Sequence, residues 1–197
     1  MLLTLTLLVV AQADLDPDEV SAGLAKAKTV EKCVAIYRPA KKQFPTAYIR
    51  GTSTEAADCT RRVMNAELDK VLVPLKKSDA TRFKLGMDAQ RFFNEGVKRY
   101  CGRWEKYYAD CCATCSYTEE PECEMDFHAA RLLLVSSVPT DGIESAKRER
   151  VPKEFTEFAK AWCQFVGDAS DTCPSRVLGV LESKQRDDGK ELTCRAR

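Results

Sequence analysis

The sequence predicts an all-α protein whose helices are connected by disulfide bonds. Apolar residues recur at helical spacing along most of the 197-residue chain, and no segment shows the sustained alternation that is typical of a β-strand. Ten cysteines accompany these helical patterns, and this even number allows five disulfides. We therefore expect a disulfide-stapled helical domain, which is built on one long antiparallel helical hairpin over residues 52–101.

The first 13 residues resemble a secretory signal peptide in composition. A short apolar run is followed by Ala11-Gln12-Ala13, an A-x-A cleavage signal, and Asp14 begins a polar segment. The positively charged segment that usually precedes the apolar run is missing, so a buried first helix or a misassigned start codon is the alternative. The pattern predicts a secreted or periplasmic protein that is cleaved after Ala13.

An oxidising compartment explains the high cysteine content, because disulfides persist outside the cytosol. We expect all ten cysteines to form disulfides, although the sequence does not determine how they pair. These residues are Cys33, Cys59, Cys101, Cys111, Cys112, Cys115, Cys123, Cys163, Cys173 and Cys194.

Two short helices are predicted before the hairpin. Asp16 and Glu19 suit the start of the first helix, since they match a capping box around Pro17. A second helical pattern begins at Thr29, and we expect Arg38-Pro39 to end it because proline disfavours helical geometry in the residue before it. Residues 44–51 are predicted to form a loop.

The hairpin is predicted from two long apolar stripes that are separated by a short turn. Thr52 and Glu55 form a second capping box, Pro74 limits the far end of the first arm near Leu75, and Ser78 is a suitable N-cap for the second arm. The inward residues of the first arm are Met64, Leu68, Val71, Leu72 and Leu75, and those of the second are Phe83, Met87, Phe93, Val97 and Cys101. A Cys59–Cys101 bond across the arms requires the helix ends to shift, and Cys111 or Cys112 is the alternative partner.

The rest of the chain is predicted to contain three further helices. Residues 101–123 form a cysteine-rich loop that completes a helical domain over residues 14–138, and residues 143–197 form a C-terminal helical extension packed on it. The expected helices are 126–138, one that begins at Pro152, and 174–184. Their inward residues are Phe127, Ala130, Leu133 and Leu134, then Phe155, Phe158, Trp162, Phe165 and Val166, then Val177, Leu178 and Leu181.

Charge is unevenly distributed although the formal net charge is only +1. Residues 61–103 contain eleven Lys or Arg and five Asp or Glu, whereas residues 105–126 contain seven acids and one Lys. The balanced total argues against a nucleic-acid partner. The acidic stretch is a hypothetical binding site for a basic protein, and its residues are Tyr117, Glu119, Glu120, Glu122 and Glu124. The alternative is an acidic loop that is solvated or paired with the basic hairpin.

The sequence contains little that indicates catalysis, so we expect no enzyme, no cofactor and no metal site. Cys112 and Cys115 form a C-x-x-C, but the strand context of a redox motif and a second ligand pair for zinc are both lacking. His128 is the single histidine, and we expect it to pack or to face solvent. Phosphate-binding and nucleophile-elbow motifs are absent from the sequence.

Part of the hairpin resembles the LprI-like lysozyme-inhibitor family. Glu67-Leu68-Asp69 resembles its acidic-Leu-Asn segment, and Ala89-Gln90-Arg91 followed by Phe93 and Cys101 resembles its second motif. Cys123 and the helix that carries Arg131 complete a similarity over residues 59–138. The chain departs from the family where Phe93 replaces Trp, Val97 replaces Arg and Asp69 replaces Asn.

The resemblance implies a helical, disulfide-linked domain and, as an activity, the inhibition of lysozyme. It also implies a structural role for Glu67, Leu68, Asp69, Gln90, Arg91, Phe93 and Arg131. The function hypothesis is thus a protein-binding module that acts on a basic protein such as lysozyme. The alternatives are a structural envelope protein and a thiol-disulfide enzyme that uses Cys112 and Cys115.

Overall fold

The computed structural model describes residues 15–103, 118–136 and 152–183, in which all regular structure is helical. The prediction of an all-α fold is therefore confirmed. The described helices are α1 Pro17–Lys26, α2 Val30–Gln43, α3 Thr46–Ser78, α4 Ala80–Cys101, α5 Glu119–Ser136, α6 Lys153–Val166 and α7 Cys173–Glu182. Within this described part, no helix combines the length and the apolar character that a membrane crossing needs.

Helices α3 and α4 form the predicted antiparallel hairpin. Asp79 alone separates them, and its side chain accepts a hydrogen bond of 2.9 Å from the Arg82 backbone N–H. The N-cap of α4 is therefore Asp79 and not Ser78, whose hydroxyl donates to the Pro74 carbonyl at 3.0 Å. The Asn65 and Gln90 side chains meet across the hairpin at 3.3 Å, which fixes its register.

Two predicted helix ends at prolines are wrong. Helix α2 continues through Pro39 to Gln43, and α3 continues through Pro74 to Ser78. Each proline removes one backbone donor and costs about 3 kcal/mol in a helix interior. Both rings lie on exposed sides of their helices, and the burial of Tyr37 and Ala40 around Pro39 offsets the cost in α2.

The predicted loop over residues 44–51 and the capping box at Thr52 are also wrong. Helix α3 begins at Thr46, so only a short break separates it from α2. The hydroxyl of Thr52 donates to the Tyr48 carbonyl at 3.2 Å, and that of Ser53 donates to the Arg50 carbonyl at 2.8 Å. Such bonds to the preceding turn are the alternative to capping for a hydroxyl within a helix.

The apolar side chains form two cores that α3 and α5 connect. The first core lies between α1, α2 and the N-terminal half of α3, and it includes Met125 of α5. The second lies between the C-terminal half of α3 and helices α4 to α7. Helix α6 packs closely along α4, because Gly86 and Gly96 leave room for the rings of Phe165 and Phe155.

Three residues that were predicted to face inward are exposed. The exposed fractions are 39% for Val71, 46% for Met87 and 55% for Leu133. In each helix the predicted apolar stripe is wider than the surface that the neighbouring helix covers. Leu134 is buried, for example, and a rotation of about 100° per residue turns Leu133 away from the same core.

Three disulfides connect neighbouring helices in the described residues: Cys33–Cys59, Cys101–Cys123 and Cys163–Cys173. Their Cα atoms are 5.7 to 6.0 Å apart, as disulfide geometry requires. A Cys59–Cys101 bond is therefore wrong, because α2 packs along α3 and places Cys33 beside Cys59. The other four cysteines lie outside the described residues, namely Cys111, Cys112, Cys115 and Cys194.

Candidate functional site

The acidic residues that were predicted to bind a partner lie in the first two turns of α5 and not in a loop. The Glu122 carboxylate accepts a 2.7 Å hydrogen bond from the Tyr37 hydroxyl and forms an ion pair with the Lys41 ammonium group. Glu122 is buried, so it connects α5 to α2 and is not accessible to a partner. This corrects its assignment as a binding residue. The other acidic residues of the predicted site are half-buried, namely Glu119, Glu120 and Glu124.

The start of α5 is held firmly at two points. Cys123 forms a disulfide with Cys101 at the end of α4, and Glu122 is bound to α2 one residue earlier. Carboxylates in a first turn are stabilised by the helix dipole by about 0.3–1 kcal/mol each. Pro121 lies in the same turn, where its missing N–H is not needed by the helix. Tyr117, the fifth residue of the predicted site, lies outside the described residues.

Helix α5 carries an unusual polar stripe toward the interior. Glu124, His128 and Arg131 occur at i, i+4 and i+7, so they share one side of the helix. Burial raises the pKa of Glu124, and the charge of Arg61 on α3 opposes that shift. The charge of Arg61 on α3 also acts on His128, and Phe93 on α4 contacts both His128 and Arg131.

His128 is a buried, neutral imidazole. It is 3% exposed, its ring centre lies 5.8 Å from that of Phe93, and Nδ1 has no hydrogen-bond partner among the described residues. Burial, together with the charges of Arg61 and Arg131, lowers its pKa to about 3. Of the two predicted positions, in the packing or at the surface, the structure shows the first. The environment is unsuited to a general base at neutral pH.

Arg131 is fully buried between aromatic rings. Its Cζ atom lies 4.6 Å from the ring centres of Phe93 and Phe158 and 5.1 Å from that of Trp162. Each such cation–π contact contributes about 0.5–2 kcal/mol, the larger values applying where water is excluded. Burial lowers the pKa of Arg131 to about 9, so the guanidinium remains charged at neutral pH.

The structure brings together some of the residues that carry the family resemblance. Phe93 contacts Arg131, and Gln90 lies one turn before Phe93, where its amide donates to Asn65 at 3.3 Å and to Asn94 at 3.2 Å. Leu68 belongs to the same core. These contacts fit the structural role that the resemblance implies.

Three other residues of the resemblance lie on the surface, away from this cluster. Glu67 pairs with Lys70 at 2.6 Å, and Arg91 pairs with Asp88 at 3.3 Å, both within a single helix. Asp69 is exposed. Exposed pairs of this kind contribute little to stability.

A shallow pocket of about 240 Å³ opens between α1 and α3. Arg62 lies at one side of it and donates to the carbonyls of Leu24 and Ala27, the last groups of α1. The guanidinium therefore caps that helix. The lining residues are Ser21, Leu24, Ala25, Glu55, Asp58, Cys59 and Arg62.

No metal site is found in the described ranges 15–103, 118–136 and 152–183, where no three metal-ligating side chains cluster. The C-x-x-C residues Cys112 and Cys115 lie outside these ranges.

Several important residues were not predicted as site residues. Tyr37 and Lys41 hold Glu122 from 85 and 81 positions away, and no local pattern indicates such a pairing. The aromatic rings around Arg131 were partly indicated by the sequence, since Phe158 and Trp162 repeat at helical spacing on α6.

Comparisons of the chain with protein-family models, curated proteins and solved structures found no match.

Proposed function

We propose that this protein is an extracytoplasmic protein-binding module that presents the carboxylates at the start of α5 to a basic protein surface. The observation that carries the proposal is the anchoring of α5 through Cys123 and Glu122, while neighbouring carboxylates keep partial exposure. An anchored helix loses little backbone entropy on binding, and the charge of its carboxylates accelerates the encounter with a basic partner. The module acts by binding and without catalysis.

Lysozyme is the partner that we propose to test first. Two observations support this choice: the family resemblance over residues 59–138, and the contact of Phe93 with Arg131 in the second core. The disulfides between helices support an extracytoplasmic location, because such bonds persist in oxidising compartments.

A structural envelope protein is the second candidate function. Glu122 favours this candidate, because its carboxylate binds Tyr37 and Lys41 of the same chain and is not presented to a partner. Acidic residues in a first helical turn also have a purely structural explanation, because the helix dipole stabilises them. A test must therefore separate partner binding from helix stabilisation.

The experiment titrates lysozyme activity with residues 14–197 that have been folded under oxidising conditions. We expect saturable inhibition, and we expect Glu119→Lys combined with Glu120→Lys to slow association about tenfold or more and to weaken its salt dependence. The matched control is Asp18→Lys combined with Glu19→Lys, which makes the same charge change in the first turn of α1. That control should inhibit as the wild type does.

Two outcomes contradict the proposal in different ways. Equal association rates for the two double variants would reject the start of α5 as the binding surface. Absence of inhibition by a folded, oxidised sample at excess concentration would reject lysozyme as the partner. Turnover of a dithiol substrate by the oxidised protein would instead favour the thiol-disulfide enzyme.

A further inference from the structure

Arg131 places a positive charge in the second core that no described carboxylate neutralises. The side chain is fully buried, and no ion pair of the described residues includes it. Burial lowers its pKa, and within residues 15–103, 118–136 and 152–183 no carboxylate acts in the opposite direction to stabilise the charged form. The guanidinium nevertheless stays protonated at neutral pH, because its pKa is still about 9.

The hydrogen-bond donors of Arg131 also lack acceptors in the part of the chain that the structure describes. Nε, Nη1 and Nη2 have no acceptor among the described residues, and the same holds for Nε1 of Trp162 beside it. The aromatic rings interact with the guanidinium through their faces, whereas its five N–H groups point outward in the guanidinium plane. Buried donors without acceptors are strongly destabilising, and those of a charged group most of all.

One small anion matches both the charge and the donors. It accepts hydrogen bonds from guanidinium and indole N–H groups, and a single negative charge neutralises Arg131. The fully buried rings of Phe93, Phe158 and Trp162 surround the cation closely, which restricts the size of such a ligand. We propose that Arg131 and Trp162 form a buried site for one small monovalent anion, of the size of chloride or formate.

The test measures thermal unfolding of the disulfide-intact protein in sodium chloride and in sodium gluconate at equal ionic strength. A ligand that binds only the folded state raises the melting temperature as its concentration increases. We expect a saturable rise with chloride and with formate, and a smaller one with gluconate, which is too large for the site. The chloride-specific part should be lost in Arg131→Met, which replaces the buried charge by an apolar chain of similar length.

Two further variants locate the effect. Trp162→Phe keeps an aromatic ring but removes the indole donor, and it should raise the half-saturating chloride concentration about tenfold, since one bond to a charged group is lost. Arg82→Met is the matched control. The guanidinium of Arg82 also contacts an aromatic ring, since its Cζ atom lies 5.5 Å from the ring centre of Phe165. Unlike Arg131, however, Arg82 has an acceptor, because its Nε donates to the Phe165 carbonyl at 2.7 Å. It should leave the chloride response unchanged.

The proposal is overturned if chloride and gluconate stabilise the wild type equally. It is also overturned if Arg131→Met folds and keeps the chloride response, because the anion then binds elsewhere. Removal of a buried ion is often tolerated when an apolar residue replaces it, so we expect Arg131→Met to fold. If Arg131→Met does not fold, Trp162→Phe provides the test. An unchanged half-saturating chloride concentration in that variant would reject the site.

Discussion

His128 makes the stability of this fold sensitive to acid. Its pKa is lowered to about 3 in the folded protein, chiefly by burial and also by the charges of Arg61 and Arg131, while an unfolded histidine titrates near 6.5. The unfolded state therefore binds the extra proton first as the pH falls. The stabilising contribution is complete above pH 6.5 and decreases as the pH falls toward 3.

We predict that acidification from pH 7.5 to pH 4.5 lowers the free energy of unfolding by about 2–3 kcal/mol through His128. Urea unfolding of the disulfide-intact protein at both values measures this loss. His128→Gln is the comparison, because it keeps a polar side chain that does not titrate. The variant should show a loss that is smaller by that amount, and an identical pH dependence in the two proteins would contradict the prediction.

Glu122 illustrates which part of the site the sequence could reveal. The charge of residues 105–126 is visible in the composition, and it led to a hypothesis of partner binding. Burial of one carboxylate depends on Tyr37 and Lys41, which reach it only because α2 and α5 both pack against α3. Long-range pairing of this kind leaves no periodic signal in the chain.

For helix α5, too, long-range packing determines a feature that the sequence pattern does not reveal. It was predicted to begin at Asp126, but it begins at Glu119 and is surrounded by α3, α4 and residues of both cores. A helix that is covered on most sides has no clear polar face, so its apolar periodicity is weak. By contrast, the stripe of Phe155, Phe158 and Trp162 faces one core, and α6 was correctly predicted.

The closeness of α4 to α6 leads to a prediction about two glycines. An added Cβ at Gly96 would lie 2.6 Å from ring atoms of Phe155, which is completely buried. We expect Gly96→Ala to destabilise the protein by about 1–3 kcal/mol, because overpacking forces the ring to move. Gly51 in α3 is exposed and has no atom within 4 Å of the added Cβ.

Gly51→Ala is therefore the matched control for Gly96→Ala. Alanine is favoured over glycine in a helix by about 1 kcal/mol, so this variant should be more stable than the wild type. Chemical denaturation of both variants measures the difference. Stabilisation by Gly96→Ala would show that α4 and α6 pack less closely at Gly96 than the structure indicates. Destabilisation by Gly51→Ala would contradict the expected gain in helix propensity at an exposed site.

At the scale of the molecule, each disulfide stabilises one core. Cys33–Cys59 connects α2 to the N-terminal half of α3, whereas Cys163–Cys173 connects α6 to α7 in the second core. The sequence indicated that cysteines would connect helices, but Cys59 had several possible partners. Only the packing of α2 along α3 selects Cys33.

This division predicts that loss of one disulfide loosens one core more than the other. Replacing Cys33 and Cys59 by Ala opens a loop of 26 residues, which corresponds to about 3–4 kcal/mol. Because few apolar contacts connect the cores apart from those of α3 and α5, we expect faster amide hydrogen exchange in α1, α2 and residues 46–63. Protection in α4 and α6 should change little.

The matched control replaces Cys163 and Cys173, whose sequence separation is 10. It should accelerate exchange in α6 and α7 and leave α1 and α2 nearly unchanged, and mass spectrometry of peptides from both proteins reads out the two patterns. A uniform acceleration over all helices in either variant would mean that the two cores unfold together. In that case α3 and α5 would couple the cores fully, and the molecule would open only as a single cooperative unit.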